Sequence, residues 1–250
     1  MQTVGLTYND YVTQIGVLAV QSTQTVGGIV SGVDPQFNTA LAQALNYAEL
    51  RIQRDLDLLP ALTGRGYTAA SGNNIMSIPV PDFVAIKTIS IDGVPLLAVS
   101  QEWLQNVYGT PTLSGQPLFF AAIGGDDPGG ASNSYVQLGP WPDRDYYAFI
   151  SGFTRLPSLY TYASDSVNAG SAKTFISTWL PDLLIQASMI YISQYQRNFG
   201  PTSNDPQMGP SYESQYQTLL RGAMQEETRK KFQDAGWSSQ SAPVLATPGR

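Results

Sequence analysis

A chain of 250 residues and 27.0 kDa has room for one large domain or two small ones, and for a real hydrophobic core. The absence of cysteine and histidine excludes disulfides, thiolate nucleophiles, zinc sites built on sulfur or imidazole, and a histidine general base. A net charge of −6 argues against a protein that wraps nucleic acid, and a charged fraction of 13%, about half the roughly 25% of soluble domains, leaves uncharged polar residues to supply much of the surface.

Residues 8–20 carry Tyr8, Tyr11, Val12, Ile15, Leu18 and Ala19 at spacings of three and four, one face of a short helix that Gly27, Gly28 and Gly32 end. Asp34-Pro35 then reads as a helix start, with aspartate as cap and proline at the first helical position. Phe37, Leu41, Leu45, Ala48, Ile52 and Leu56 continue as an unbroken apolar stripe until Pro60. Leu41, Leu45, Ile52 and Leu56 are therefore expected in a helical core.

Residues 63–73 are rich in glycine and small polar side chains and read as a loop. After them the period changes to two. Residues 75–80 and 83–91 read as strands, and the second has a parity break between Val84/Ile86 and Ile89/Ile91 that predicts a bulge. Asp92-Gly93 fits a two-residue hairpin turn. A helical turn around Trp103 and strands at 118–123, 135–138 and 146–153 complete a small antiparallel unit, interrupted by a glycine-rich loop at 124–131.

Helical periodicity returns at residues 175–179, continues from Pro181 through Leu184, Ala187, Ile190 and Gln194, and stops at Gly200-Pro201. A last helix spans about 211–234, with Glu226/Lys230 and Glu227/Lys231 as pairs at four. The fold class predicted is α+β: a discontinuous helical bundle from both ends of the chain (1–62 and 171–235), an inserted antiparallel β domain (63–170) and an extended C-terminal arm (236–250). Leu184 joins the helical core. Too sparse to form a core, the arm reads by composition alone as a disordered end; the sharper reading is a segment that orders along a partner, with Trp237, Val244 and Leu245 as anchors for a groove on another subunit. No run of about 18–20 apolar residues appears, and Met1-Gln2-Thr3 lacks the basic start of a signal peptide, so a soluble cytosolic product is expected, without membrane contact.

Candidate chemistry is thin. Gly64-Arg65-Gly66 lacks the third glycine and the lysine-serine pair of a phosphate cradle. Asp126 and Asp127 read as a hairpin tip rather than a calcium site, because turns collect Asp, Pro and Gly. Glu49, Arg51, Arg54 and Asp55 can be read as a charged catalytic patch, but the helix spacing makes Arg51 and Asp55 an ordinary pair at four, and that reading is preferred. A glycosidase needs only two carboxylates, but no acid lies in a readable aromatic cleft, and Trp103, Trp141 and Trp179 read as core or interface. No enzyme, metal or cofactor is expected.

The segments Ala48-Glu49-Leu50-Arg51-Ile52-Gln53-Arg54-Asp55-Leu56, Pro79-Val80-Pro81-Asp82-Phe83, Ile91-Asp92-Gly93-Val94-Pro95-Leu96, Leu138-Gly139-Pro140-Trp141-Pro142-Asp143, Arg155-Leu156-Pro157-Ser158-Leu159 and Trp179-Leu180-Pro181-Asp182-Leu183-Leu184 resemble, in order and spacing, the head-to-tail adaptor (connector) proteins of short-tailed bacteriophages, over residues 8–232. The resemblance implies a virion structural protein made in the host bacterial cytoplasm. It implies a twelvefold homo-oligomeric ring beneath the portal protein, continuing the channel through which viral DNA passes without specific binding. It also implies that the β domain meets tail nozzle or fibre proteins through loops such as those holding Asp92, Gly93, Asp126 and Asp127. A C-terminal arm with Phe232, Trp237, Val244, Leu245 and Arg250 would reach the portal. The loops at 63–73 and 124–131 depart from that pattern. Two other readings stay open: a carbohydrate-binding or depolymerising virion protein, and a tail or baseplate protein that does not touch the portal.

Overall fold

The computed structural model describes residues 5–79, 83–123, 133–161, 169–199 and 208–234. Helices from both ends of the chain and small β-sheets between them make a mixed α+β protein. The chain divides into two compact units, one drawn from residues 1–59 and 156–250, the other from 60–155.

In the first unit, helix α1 (Tyr8–Leu18) opens with a capping box: the Thr7 hydroxyl accepts from Asp10 N–H at 3.1 Å while the Asp10 carboxylate accepts from Thr7 N–H at 3.0 Å. The Thr7 hydroxyl, which donates to the Asp10 carboxylate at 2.6 Å, and then the Thr7 N–H hold that carboxyl below its ordinary range. The helix closes in a Schellman turn, with Gln21 N–H on Gly16 C=O at 2.8 Å and Val20 N–H on Val17 C=O at 3.2 Å. Val20 occupies the left-handed position, φ 54°, where glycine is usual, and its side chain is 78% exposed. Val20→Gly is therefore expected to stabilise the protein by about 0.5–1 kcal/mol, the strain relieved less the added freedom of the unfolded chain, read as a higher melting temperature.

Gly27 and Gly28 do more than stop a helix. Both have positive φ (60° and 83°) and form the turn of a hairpin between β1 (Thr23–Val26) and β2 (Ile29–Gly32). Helix α2 (Pro35–Asp55) follows, with the Asp34 carboxylate accepting from Gln36 N–H at 2.9 Å and Pro35 at the first position. Its buried face is Phe37, Leu41, Ala44, Leu45, Ala48 and Ile52, with Leu56 just beyond. A short helix α4 (Phe175–Trp179), numbered after α3 of the second unit, leads into α5 (Pro181–Phe199), which packs against α2 on one side and α6 (Met208–Asp234) on the other. Lying between two helices, α5 is apolar over most of its surface, with Leu183, Leu184, Ala187, Met189 and Ile192 all buried. Its buried Ser188 hydroxyl donates to Leu184 C=O at 2.7 Å and accepts from the Tyr11 hydroxyl at 2.9 Å, so no polar atom of that pair is stranded.

The second unit holds two four-stranded sheets around one core. Strands β3 (Leu62–Ala69), β10 (Tyr146–Phe153), β5 (Ala85–Ile91) and β6 (Val94–Pro95) form one, in that order. The other orders β4 (Ile75–Pro79), β9 (Asn133–Gly139), β8 (Phe119–Ile123) and β7 (Leu97–Ala98). All pairs are antiparallel except β7–β8. Met76, Ile78, Ile89, Ile91, Val136, Leu138, Ala148 and Ile150 form the core from alternating positions of both sheets. The register slips between Ser151/Thr88 and Gly152/Ile86, leaving Lys87 as the extra residue, where the parity break in the sequence places a bulge. Asp92 and Gly93 form the β5–β6 turn with φ of 49° and 84°.

Most of the segment read as a loop at 63–73 is strand β3. Its glycines are seats: a Cβ on Gly64 would strike the Phe149 ring, and one on Gly66 the Tyr147 ring, so two aromatic side chains of β10 lie across the glycines of β3. The turn expected around Trp103 is a two-turn helix α3 (Gln101–Tyr108), capped by Ser100, whose hydroxyl accepts from Trp103 N–H at 3.2 Å.

Candidate functional site

Glu49, Arg51 and Asp55, grouped by the sequence as one charged patch, have separate surroundings. Glu49 is 1% exposed. It falls on the apolar stripe itself, four residues after Leu45 and three before Ile52, and that placement is the signal in the sequence for its burial. Its carboxyl accepts from Leu159 N–H (3.0 Å to Oε1) and from the Ser158 hydroxyl (2.6 Å to Oε2), and Ser158 Oγ also lies 3.0 Å from Asn46 Oδ1. One turn on, Gln53 makes a two-point amide pair with Leu156, accepting from its N–H at 2.9 Å and donating to its C=O at 3.3 Å. Burial pushes the Glu49 carboxyl up to about 7, against the opposing pull of Ser158 and Leu159. With both oxygens occupied by the segment at 156–159, it is a structural tie and faces no substrate.

Arg51 has a stronger partner than Asp55. Its guanidinium grips Glu213 of α6 at both oxygens, 2.9 and 2.6 Å, whereas Asp55 stands at 3.6 Å. This fork raises the basicity of Arg51 and holds the Glu213 carboxyl below its ordinary range. The guanidinium also lies 4.4 Å over the Tyr216 ring, whose hydroxyl donates to Asp55 at 2.7 Å. Burial chiefly raises the Tyr216 pKa. Four side chains thereby fasten α2 to α6.

Of the pairs expected on α6, Glu226/Lys230 forms at 2.7 Å. Lys231 instead meets Asp57 at 3.2 Å, and Glu227 turns inward, buried, to accept from Leu59 N–H at 3.0 Å and from Lys230 at 2.8 Å. Burying Glu227 beside a main-chain N–H gives it a partner that a helical-wheel argument cannot supply.

Leu41, Leu45, Ile52, Leu56 and Leu184 are all buried in the helical unit. Asp92 and Gly93 are exposed at the β5–β6 turn. Asp126, Asp127, Trp237, Val244, Leu245 and Arg250 lie outside the described residues, and Phe232 falls in the last turn of α6 with its side chain outside them. Trp141 spends its indole N–H on Tyr108 C=O at 2.7 Å, and Trp103 packs edge-on to Phe119, the rings 5.0 Å apart. Trp179 is exposed.

A cavity of about 410 Å³ lies among Gly5, Leu6, Gln14, Pro181, Asp182, Ile185 and Gln186. Its lining has one acid and no nucleophile or base to work with it. Among the described residues no cluster of acidic side chains suits a metal ion, and no helix is long and apolar enough to cross a membrane. The exposed large apolar side chains of the first unit include Val17, Val20, Val26, Ile29 and Val33 around the β1–β2 hairpin, within a stretch, residues 11–33, that has no charged side chain. Tyr147 and Phe149 make a second such surface on the outer face of the β3–β10 sheet.

No curated protein matches the chain. The family model of the SU10 adaptor protein matches residues 7–243, through both units and beyond the end of α6. With a match over nearly its whole length, the chain belongs to the SU10 adaptor protein family.

Proposed function

We propose that this phage structural adaptor forms a ring of twelve copies joining the portal vertex of the head to the tail and continuing the DNA channel. The match over residues 7–243 is the observation that carries the reading, since it takes in the helical unit and the inserted β unit together. In this proposal the helical unit forms the ring body. The β unit meets tail nozzle or fibre proteins through loops such as that of Asp92 and Gly93. The uncharged, valine-rich surface around the first hairpin supports subunit contact, because apolar side chains gain most from an interface and charged ones lose most. The acidic balance, −6 overall, supports passage of DNA without gripping it. The protein does its work in the virion, after synthesis in the host cytoplasm, and by binding rather than catalysis.

Electron microscopy of the chain mixed with its particle's portal tests this. Class averages down the symmetry axis are expected to show a closed twelvefold ring stacked on the portal. A persistent monomer in the presence of portal, or a ring that docks only on tail components, overturns the reading.

A further inference from the structure

The β1–β2 hairpin is a two-stranded sheet whose outer edges are finished differently. Its register sets Thr23 opposite Gly32 and Thr25 opposite Val30, and Val33 N–H donates to Ser22 C=O at 2.9 Å. In an antiparallel ladder, main-chain groups point alternately towards the partner and away, so those of residues 23, 25, 30 and 32 face outwards. On β2 three of the four outward groups are taken. Asn9 Oδ1 accepts from Val30 N–H at 2.8 Å, and the Asn38 amide accepts from Gly32 N–H at 2.6 Å while donating to Gly32 C=O at 2.9 Å. Two asparagines thus stand where a third strand would lie. On β1 the outward N–H and C=O of Thr23 and Thr25 have no partner among the described residues, and Gln24, Thr25 and Val26 are exposed. Among the described residues the β2 edge is largely blocked and the β1 edge open.

We propose that the open edge of β1 receives residues 244–247 of a neighbouring copy of this chain as a third strand; the inference rests on the ring reading above. Three observations select this occupant. The surface around β1 is uncharged from residue 11 to residue 33, and a charged strand would be desolvated there without a counter-ion, whereas residues 235–249 are also uncharged. Val244-Leu245-Ala246-Thr247 lies between Pro243 and Pro248, which lack the N–H needed to extend a ladder, so the available strand is four residues long, the length of β1. Reach favours a neighbour's hairpin over the chain's own. Glu227 and Lys231 hold the end of α6 at Leu59 and Asp57, by the C-terminal end of α2, whereas the hairpin is held by Asn38 near its start. Asn38 and Asp55 are about 25 Å apart along α2. Ten residues beyond Asp234 cover such a distance only when drawn nearly straight, their limit being about 33 Å. A neighbour's arm in a ring need not be stretched along the length of its own α2.

Because the chain has no cysteine, paired substitutions test this without background. Thr25→Cys on one set of chains and Val244→Cys, Leu245→Cys or Ala246→Cys on another are assembled together into particles and oxidised. Disulfide-linked dimers of unlike chains are expected for at least one of the three positions. Thr25→Pro removes an outward N–H without touching the hairpin's own ladder; it is expected to leave monomer melting unchanged and to lower ring occupancy in particles at least tenfold. Rings visible in particles but no cross-link at any position overturn the pairing and leave the ring intact, as does a cross-link within a doubly substituted chain or capture of the arm cysteine by the portal. Particles with no ring overturn the adaptor reading itself.

Discussion

At pH 8, Glu49→Gln is expected to stabilise the protein by about 3 kcal/mol, and at pH 4.5 to change it little. Burial lifts the carboxyl from 4.5 to about 7, and at about 1.4 kcal/mol per pH unit that difference is about 3 kcal/mol between folded and unfolded chains. The sign follows from which state holds the proton. Between about 4.5 and 7 the folded carboxyl is neutral while the unfolded one has ionised, so stability from this group is complete below 4.5, falls as pH rises through that window, and is gone above it. Glutamine keeps an acceptor for Leu159 N–H, and its NH₂ donates to Ser158 Oγ, whose proton turns to Asn46 Oδ1 at 3.0 Å. Denaturant unfolding of both proteins from pH 4 to 9 checks the effect; parallel curves would show a carboxyl with ordinary acidity.

Leu45→Asp is expected to unfold the helical unit at 25 °C. Leu45 is 1% exposed on the face that α2 turns towards the core. The substitution loses a leucine's burial, about 2–5 kcal/mol, and strands a carboxylate with no cation or donor positioned for it, so the total cost rivals the 5–15 kcal/mol by which whole domains are stable. Far-UV circular dichroism and thermal melting read the loss of helix. Leu45→Met, close in volume, is expected to cost less than about 1.5 kcal/mol and separates charge from shape. An unchanged melt for the aspartate variant would place this face of α2 in water.

The legible parts of the fold are those whose causes are local. Asp34-Pro35 and the stripe from Phe37 to Leu56 specify α2 within 23 residues, and Asp92-Gly93 specifies its turn from two. Strand β3 was hidden because what makes its glycines favourable, the Tyr147 and Phe149 rings, lies about 80 positions further along. Local breaker statistics point to a loop there, and tertiary packing overrides them. The first hairpin was readable in principle, since Gly27-Gly28 separates two runs rich in Thr, Val and Ile. Charge pairing misled for a related reason. Arg51 sits four residues from Asp55, yet its bidentate partner is Glu213, and only an assembled α2–α6 contact brings that carboxylate within reach. Glu49 showed its burial in its position on the stripe but not its partners, because Ser158 and Leu159 are more than 100 residues away.

The two ends of the β unit meet as neighbours on adjacent strands: Leu62 of β3 pairs with Phe153 of β10, and Thr154 N–H donates to Ala61 C=O at 2.8 Å. A chain segment whose ends are zipped together in this way adds little more to the closure entropy of its host than a tight turn does, however long it is. The helical unit therefore carries its insertion as an interchangeable cassette. Everything between residues 60 and 155 can be exchanged for another segment with closely spaced ends, or shrunk to a turn, without rewriting the helices around it.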